Sequence, residues 1–211
     1  MTAVIFDCDG TLVDSEPLAR AAWEQALVPY GYTVSEADVE ACVGLPFPTV
    51  HAYFAERAPL PGHDEMWTAF SAGLFELIDT RLVRFEDAVG AVRELRGRGV
   101  PVAVASSSPR ERLHRTLGRA GLLDAFDVTV AGDEVSRGKP APDMFLLAAA
   151  RLGVEPGACV VIEDSPPGVQ AGRAAGMVTV AVCRVPGTEA SLAAADRVVD
   201  TVTADAILQA A

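Results

Sequence analysis

The second half of the chain alternates between short apolar strands and amphipathic helices, and this pattern restricts the fold more than any other feature. Between residues 86 and 211, runs such as VPVAVAS (100–106) and ACVVIED (158–164) are separated by helical stretches such as EDAVGAVRELRGRG (86–99). Such alternation is typical of a parallel sheet whose two faces are both covered by helices. TAVIFD (2–7) is predicted to be a further buried strand. We therefore predict an α/β fold.

Residues 15–81 differ from the rest of the chain, because their apolar residues have helical spacing throughout. The helical stretches are interrupted at prolines and glycines, and no segment between them has the composition of a strand. We therefore predict a small all-helical domain at 15–81, inserted after the first strand. The remaining residues, 1–14 and 82–211, form the predicted core, a Rossmann-like parallel sheet with helices on both faces.

The composition argues against several classes of partner and location. The 211 residues carry a formal net charge of −12, which disfavours binding to nucleic acid or to an anionic membrane surface. No apolar run approaches the roughly 20 residues that span a bilayer, and the first residues lack the pattern of a signal peptide. The four cysteines form no CxxC pair and no zinc-binding spacing with histidine. We expect a cytoplasmic monomer without nucleic-acid or membrane partners.

Polar side chains follow the predicted strands at the point where each strand ends. In open parallel sheets this edge is where ligands bind. The side chains there are mostly hard oxygen ligands, which suit Mg²⁺ and leave room for water and phosphate. The three histidines lie in helical stretches instead. The residues after the first four strands are Asp7 and Asp9, then Ser106–Ser108, then Lys139, and finally Glu163 with Asp164.

Lys139 is the only lysine in the chain, beside sixteen arginines. A compact ammonium is not interchangeable with a planar guanidinium, so a single lysine indicates a position that needs a point charge. It also lies at the edge where an anionic ligand would need local positive charge in a protein of net charge −12. Lys139 is therefore a candidate phosphate-binding residue.

Each of these positions also has a structural explanation. Asp7 and Asp9 fit an Asx turn, Ser106 fits a helix N-cap, and Glu163–Asp164 before SPPG fit the start of a helix. A calcium loop is disfavoured because Gly10 falls at position four rather than six and follows a strand. The structural explanations would have to hold at four successive strand ends at once, which favours a shared chemical site.

These motifs resemble the four motifs of the haloacid dehalogenase superfamily. They are DCDGT (7–11), Ser106 after VAVA, Lys139 in GKPAPD, and Glu163–Asp164 in VIEDSPPG, and the ordered set spans residues 5–176. The inserted helical domain is similar to the alpha-helical cap of that family. The closest resemblance is to the branch that contains sugar-phosphate phosphatases, phosphoglycolate phosphatase and β-phosphoglucomutase.

The resemblance implies a Mg²⁺-dependent phosphatase with two catalytic aspartates. Asp7 would attack phosphorus and form an aspartyl-phosphate, and Asp9 would protonate the leaving oxygen and then activate water. Asp7, the backbone carbonyl of Asp9, and Asp164 would hold the metal, and Glu163 would ligate it or orient a bound water.

The resemblance also implies a clamp for the transferring phosphoryl group, made of Ser106, Lys139 and backbone N–H groups of Gly10, Thr11 and Ser107. The cap would close through hinges near residues 13–15 and 80–85. Substrate specificity would come from Glu16, Arg20 and the loop at 44–47, including Phe47. The expected substrate is a small phosphorylated sugar, sugar acid or polyol, and phosphoglycolate is included.

The resemblance leaves related activities as alternatives. Dehalogenation is disfavoured by Asp9, and phosphonate hydrolysis by the absence of lysine from 15–80. A β-phosphoglucomutase would carry a histidine where this chain has Ala19 and an arginine near Phe47, with Arg20 and Arg57 as candidate replacements. A non-catalytic binding relative would be expected to lose a motif residue, and this chain keeps them all. Phosphatase activity is the preferred prediction.

Overall fold

Six parallel strands form the main sheet of the computed structural model, which describes residues 2–42, 45 and 47–210. Ile5 in the first strand lies opposite Ala103 on one side and Val161 on the other, so that strand occupies the centre. In sheet order the strands are β5 (Val128–Ala131), β4 (Val102–Ser106), β1 (Ala3–Phe6), β6 (Cys159–Glu163), β7 (Val178–Val182) and β8 (Arg197–Val199).

Helices cover both faces of this sheet. Consecutive side chains of a strand point to opposite faces, yet all four residues of β1 are fully buried. One face packs against α7 (Asp143–Leu152) and α8 (Pro166–Ala174), with Met144 and Phe145 in the shared core. The other helices of this part of the chain are α5 (Glu86–Gly97), α6 (Arg110–Ala120) and α9 (Ala204–Leu208). The predicted α/β fold is confirmed.

The strand order places the predicted site residues side by side. β4, β1 and β6 are neighbours and run in the same direction, so their carboxyl ends meet at one edge. Asp7, Ser106 and Glu163 all lie at these ends. The sheet therefore gathers residues that are up to 156 positions apart in the chain.

The chain divides into two compact units. The first contains Met1–Asp14 and Val83–Ala211, and the second is Ser15–Leu82. Within the first unit, β2 (Val13–Asp14) pairs antiparallel with β3 (Val83–Arg84). The sequence did not predict this two-residue ribbon, because two residues carry no measurable periodicity.

The second unit is helical throughout its described residues. Its elements are α1 (Glu16–Leu27), α2 (Glu36–Cys42), α3 (Phe47–Ala55) and α4 (His63–Arg81). Trp23 stacks among Phe47, Phe54 and Phe70 with ring centroids 4.7–5.3 Å apart, and this aromatic group fills the core between the helices. The role of this unit as a cap stays a prediction. Across the described residues of both units, every helix is too short or too polar to cross a bilayer.

One buried carboxylate organises the polar part of the helical unit. Asp38 accepts hydrogen bonds from the Tyr53 hydroxyl at 2.8 Å, the Tyr32 hydroxyl at 3.1 Å, and the N–H and hydroxyl of Ser35 at 2.8 and 2.7 Å. Burial alone would raise its pKa, but these donors outweigh burial and lower the pKa from 3.8 to about 2. The ionised form of Asp38 therefore stabilises the folded unit.

We expect Asp38→Asn to destabilise the helical unit by about 2 kcal/mol at pH 7, because the charge-assisted bonds are lost. The folded-state pKa lies below the unfolded one, so the stabilisation is present above about pH 4 and disappears as the pH falls towards 2. Both tryptophans, Trp23 and Trp67, lie in this unit, so their fluorescence during urea unfolding reports on it.

The control is Asp64→Asn, which changes a fully exposed aspartate of the same unit. The difference between wild type and Asp38→Asn should narrow between pH 5 and pH 3. A difference that stays constant over this range would show that the charge of Asp38 does not carry the effect.

Candidate active site

Asp7 lies directly after the central strand and is almost completely buried, with 5% of its surface exposed. Its N–H donates to the carbonyl of Ile162 at 2.9 Å, which continues the β1–β6 ladder by one residue and fixes the backbone there. Burial raises the pKa of Asp7 well above its ordinary value; the ammonium of Lys139 opposes this, and neighbouring carboxylates add to it. The site thus holds a carboxylate in surroundings that penalise its charge.

The single lysine reaches this carboxylate. The Lys139 ammonium forms ion pairs with Asp7 and with Glu163, the latter at 2.6 Å, and only 7% of its side chain is exposed. It also donates to the carbonyl of Ala105 at 3.4 Å and lies 5.0 Å from the ring centre of Phe145. Burial lowers the pKa of Lys139, but the charges of Asp7 and Glu163 outweigh burial and raise the pKa. The amine is therefore a fixed positive charge at neutral pH.

Glu163 is held by four hydrogen bonds. Its Oε1 accepts from Lys139, while its Oε2 accepts the N–H groups of Asp164 and Ser165 and the Ser165 hydroxyl at 2.7–2.8 Å. A Cβ at Gly168 would overlap this carboxylate, so the first turn of α8 has to approach with a glycine. Glu163 was predicted either to ligate the metal or to orient a metal-bound water, and both roles stay predictions.

Asp164 faces the loop that follows Asp7. The Thr11 hydroxyl donates to Asp164 Oδ1 at 3.3 Å, and burial together with the charge of Glu163 raises the pKa of Asp164 to about 8. Gly10 turns the chain at φ +82°, a conformation that favours glycine, and a Cβ there would overlap the Asp164 carboxylate. Gly10 is thus required twice, for its backbone angle and for the space beside Asp164.

Three of these carboxylates could hold a metal ion. Oxygens of Asp7, Glu163 and Asp164 all lie within 4.8 Å of one another, and hard carboxylate oxygens are the ligands that Mg²⁺ prefers. Three acids surround one ammonium, and burial together with this excess of negative charge raises the pKa values of Asp7 and Asp164. A divalent cation would relieve it, so the donor set fits a metal of this kind.

Asp9 lies on the other side of the same loop, in a separate set of contacts. Its Oδ2 accepts the hydroxyls of Ser106 at 3.2 Å and Ser108 at 2.8 Å, and its Oδ1 accepts Nη2 of Arg112 at 2.9 Å. The sequence predicted Asp9 and Ser106 here, but it did not single out Arg112 or assign a role to Ser108. Ser107, whose N–H was predicted to bind phosphate, has an exposed side chain.

The residues predicted to set specificity lie in the helical unit. Glu16 is exposed in the first turn of α1. Arg20 pairs with Glu24 at 2.9 Å and with Glu36 at 2.7 Å, and Phe47 packs into the aromatic core. In the predicted 44–47 loop, residues 44 and 46 lie outside the described residues. Phe47 thus has a packing role, and its specificity role remains a prediction.

Comparison with known proteins identifies relatives along most of the chain. Residues 1–176 match the family model of the haloacid dehalogenase-like hydrolases. The fructose-1-phosphate phosphatase of Escherichia coli is 39% identical over 181 residues, which cover 85% of this chain and 95% of that protein. Another curated relative, 35% identical over 205 residues, is longer, and the chain spans 53% of it.

Solved structures have the same fold. A haloacid dehalogenase family hydrolase from Deinococcus radiodurans, with bound phosphate and sodium, is 34% identical, with a TM-score of 0.74 over 100% of this chain and 94% of that one. A β-phosphoglucomutase from Clostridium difficile shares the fold at 23% identity, with a TM-score of 0.80 over 97% and 93% of the two chains. These matches thus include proteins named as a phosphatase, a hydrolase and a β-phosphoglucomutase.

Proposed function

This chain belongs to the haloacid dehalogenase-like hydrolases and is a phosphoric monoester hydrolase, and we propose that it uses Mg²⁺ and an aspartyl-phosphate on Asp7 to hydrolyse a small sugar or sugar-acid phosphate. The observation that carries the proposal is the buried contact of Asp7 with the only lysine of the chain, beside Asp164. The bound phosphate of the Deinococcus radiodurans relative supports a phosphate site in this fold.

In this proposal the reaction has two displacement steps, and Asp7 and Asp9 act in both. Asp7 attacks phosphorus while the bond from phosphorus to the substrate oxygen breaks, and Asp9 gives that oxygen a proton. Water then attacks phosphorus in the aspartyl-phosphate and gives a proton to Asp9. The bond from Asp7 to phosphorus breaks in this step, and phosphate is released. Both steps use the same two carboxylates, which the loop Asp7–Thr11 presents together.

The remaining residues stabilise charge during these steps. Lys139 and Ser106 are the proposed partners of the phosphoryl oxygens, with the backbone N–H groups of Gly10, Thr11 and Ser107. Asp7, the Asp9 carbonyl and Asp164 would hold Mg²⁺, which supplies charge neutralisation for an attack of one anion on another. Glu163 orients Lys139 and the Asp164–Ser165 backbone through its four hydrogen bonds.

A phosphosugar mutase is the alternative that shares this site. The helical unit argues against it, because the place of the mutase histidine is Ala19 and the two replacement candidates are engaged within that unit. Arg20 is paired with Glu24 and Glu36, and Arg57 lies over the Tyr53 ring at 3.5 Å and pairs with Glu56. Hydrolysis is therefore preferred over transfer to a second sugar hydroxyl.

We expect Mg²⁺-dependent release of phosphate from a panel of sugar, sugar-acid and polyol phosphates that includes phosphoglycolate. Because the metal neutralises the attacking and attacked anions, EDTA should reduce turnover by about 100-fold or more, and added Mg²⁺ should restore it. Products are separated by chromatography, so that free phosphate and isomerised sugar phosphate are counted independently. Isomerised product with little free phosphate would favour the mutase, and turnover unaffected by EDTA would contradict the metal site.

A further inference from the structure

Arg112 is placed where it fixes the orientation of the second aspartate. It is the third residue of α6, and its Nη2 lies 2.9 Å from Asp9 Oδ1. The side chain of Arg112 is 18% exposed and that of Asp9 is 24% exposed, so the pair is mostly shielded from water. None of the motif residues comes from α6, so this contact brings a new element into the site.

The contacts on Asp9 leave its carboxyl group little rotational freedom. The Ser106 and Ser108 hydroxyls meet Oδ2, and the Ser108 N–H donates to the Ser106 hydroxyl at 3.1 Å, which ties the two serines together. Rotation of an aspartate about its last torsion is otherwise broad. Because Arg112 contacts Oδ1 and the serines contact Oδ2, the two oxygens are not equivalent, and these contacts fix the plane of the carboxyl group.

The two carboxylate oxygens of Asp9 have different kinds of hydrogen-bond partner, and this difference gives them different roles. A guanidinium can only donate hydrogen bonds, whereas a hydroxyl can donate or accept. Oδ1 beside Arg112 therefore stays an acceptor, and Oδ2 beside the serines can carry or lose a proton without losing its contacts. This is the behaviour required of a group that exchanges protons with a substrate.

The arrangement is not one that folding stability would select. An ion pair that is mostly shielded from water contributes little net stability, because desolvation of the two charges offsets their attraction. Within the described residues, Arg112 Nε is buried without a hydrogen-bond partner, which is unfavourable for folding. A guanidinium held at this cost beside Asp9 points to a role in the reaction.

We propose that Arg112 is a positioning residue for phosphoryl transfer, which holds the Asp9 carboxyl group so that Oδ2 delivers its proton to the leaving oxygen of the substrate. The inference rests on the acid role of Asp9 in the proposed function. The bond between phosphorus and the leaving oxygen breaks as the bond from Asp7 to phosphorus forms, and the proton of Asp9 converts the leaving oxygen into an alcohol. Arg112 itself contacts neither phosphorus nor the leaving group in this scheme.

The test compares two leaving groups in wild type, Arg112→Gln and Arg112→Lys. An alkyl phosphate, the best substrate of the panel, needs a proton on its leaving oxygen, whereas p-nitrophenyl phosphate does not. The parameter is kcat/KM, because it covers the steps up to release of the alcohol. Arg112→Gln should lower kcat/KM by about 30-fold for the alkyl phosphate and by less than about 3-fold for p-nitrophenyl phosphate.

Arg112→Lys should give an intermediate loss on the alkyl phosphate, because lysine keeps a positive charge but lacks the planar guanidinium that contacts Oδ1. Arg115→Gln, an exposed arginine of the same helix, is the matched control and should leave both values unchanged. Equal losses on both substrates, or no loss on the alkyl phosphate, would overturn the inference. If wild type hydrolysed neither substrate, the proposed function itself would have failed.

Discussion

Asp7→Asn is expected to lower phosphate release by about 10⁴-fold or more while the protein stays folded. The amide keeps the size and shape of the side chain but is not a nucleophile towards phosphorus. It also loses the charge that pairs with Lys139. Turnover is measured on the best substrate of the panel at saturating Mg²⁺, and acid-quenched samples are examined by mass spectrometry for a phosphoryl group on the protein.

The same variant should be at least as stable as wild type. Burial raises the pKa of Asp7, which means that its ionised form lowers the free energy of unfolding. A neutral amide removes this destabilisation. Thermal unfolding measures this directly. The exposed Asp124→Asn is the matched control and should change neither property. Activity near that of wild type in Asp7→Asn would exclude Asp7 as the nucleophile.

Lys139→Arg is expected to lose about 100-fold in kcat although the positive charge is kept. The Lys139 side chain is 7% exposed, and its ammonium lies between Asp7 and Glu163 with the Phe145 ring centre 5.0 Å away. A planar guanidinium is larger and cannot occupy the same point without displacing one of these neighbours. The measurement is steady-state kinetics, with Arg137→Lys as the control at an exposed position two residues away.

Lys139→Met tests the charge separately from the shape. It leaves Asp7 and Glu163 buried without their cation, which should lower the free energy of unfolding by about 3–5 kcal/mol at pH 7. Added Mg²⁺ should recover part of this stability. Normal kinetics in Lys139→Arg would show that the single lysine of the sequence carries no special role.

The sequence predicted the parts of the site that depend on strand ends. Once the alternation of strands and helices indicates a parallel sheet, Asp7, Ser106 and Glu163 must lie at one edge, and the strand order β4-β1-β6 makes them neighbours. Lys139 could be singled out because its residue type is unique in the chain. These inferences need only periodicity and composition, which a single sequence contains.

Contacts that depend on side-chain reach could not be predicted in this way. Arg112 lies inside a helix, and only the docking of α6 brings it to Asp9. The same holds for the hydrogen bond from Lys139 to Glu163, whose residues are 24 positions apart in the chain. In the helical unit, Arg20 was predicted to set substrate specificity, and its contact with Glu36, sixteen residues away, could not be predicted from helical spacing.

The short ribbon of β2 and β3 has a consequence for how this protein could have been assembled. Asp14 and Val83 are paired residues, so the two ends of the 68-residue helical unit leave the sheet unit side by side, about 5 Å apart. A tight turn of a few residues would be long enough to connect β2 to β3. The helical unit is therefore an insertion between the two strands of a hairpin, and we expect changes in its length to leave the strand order beside Asp7 and Asp164 unaltered.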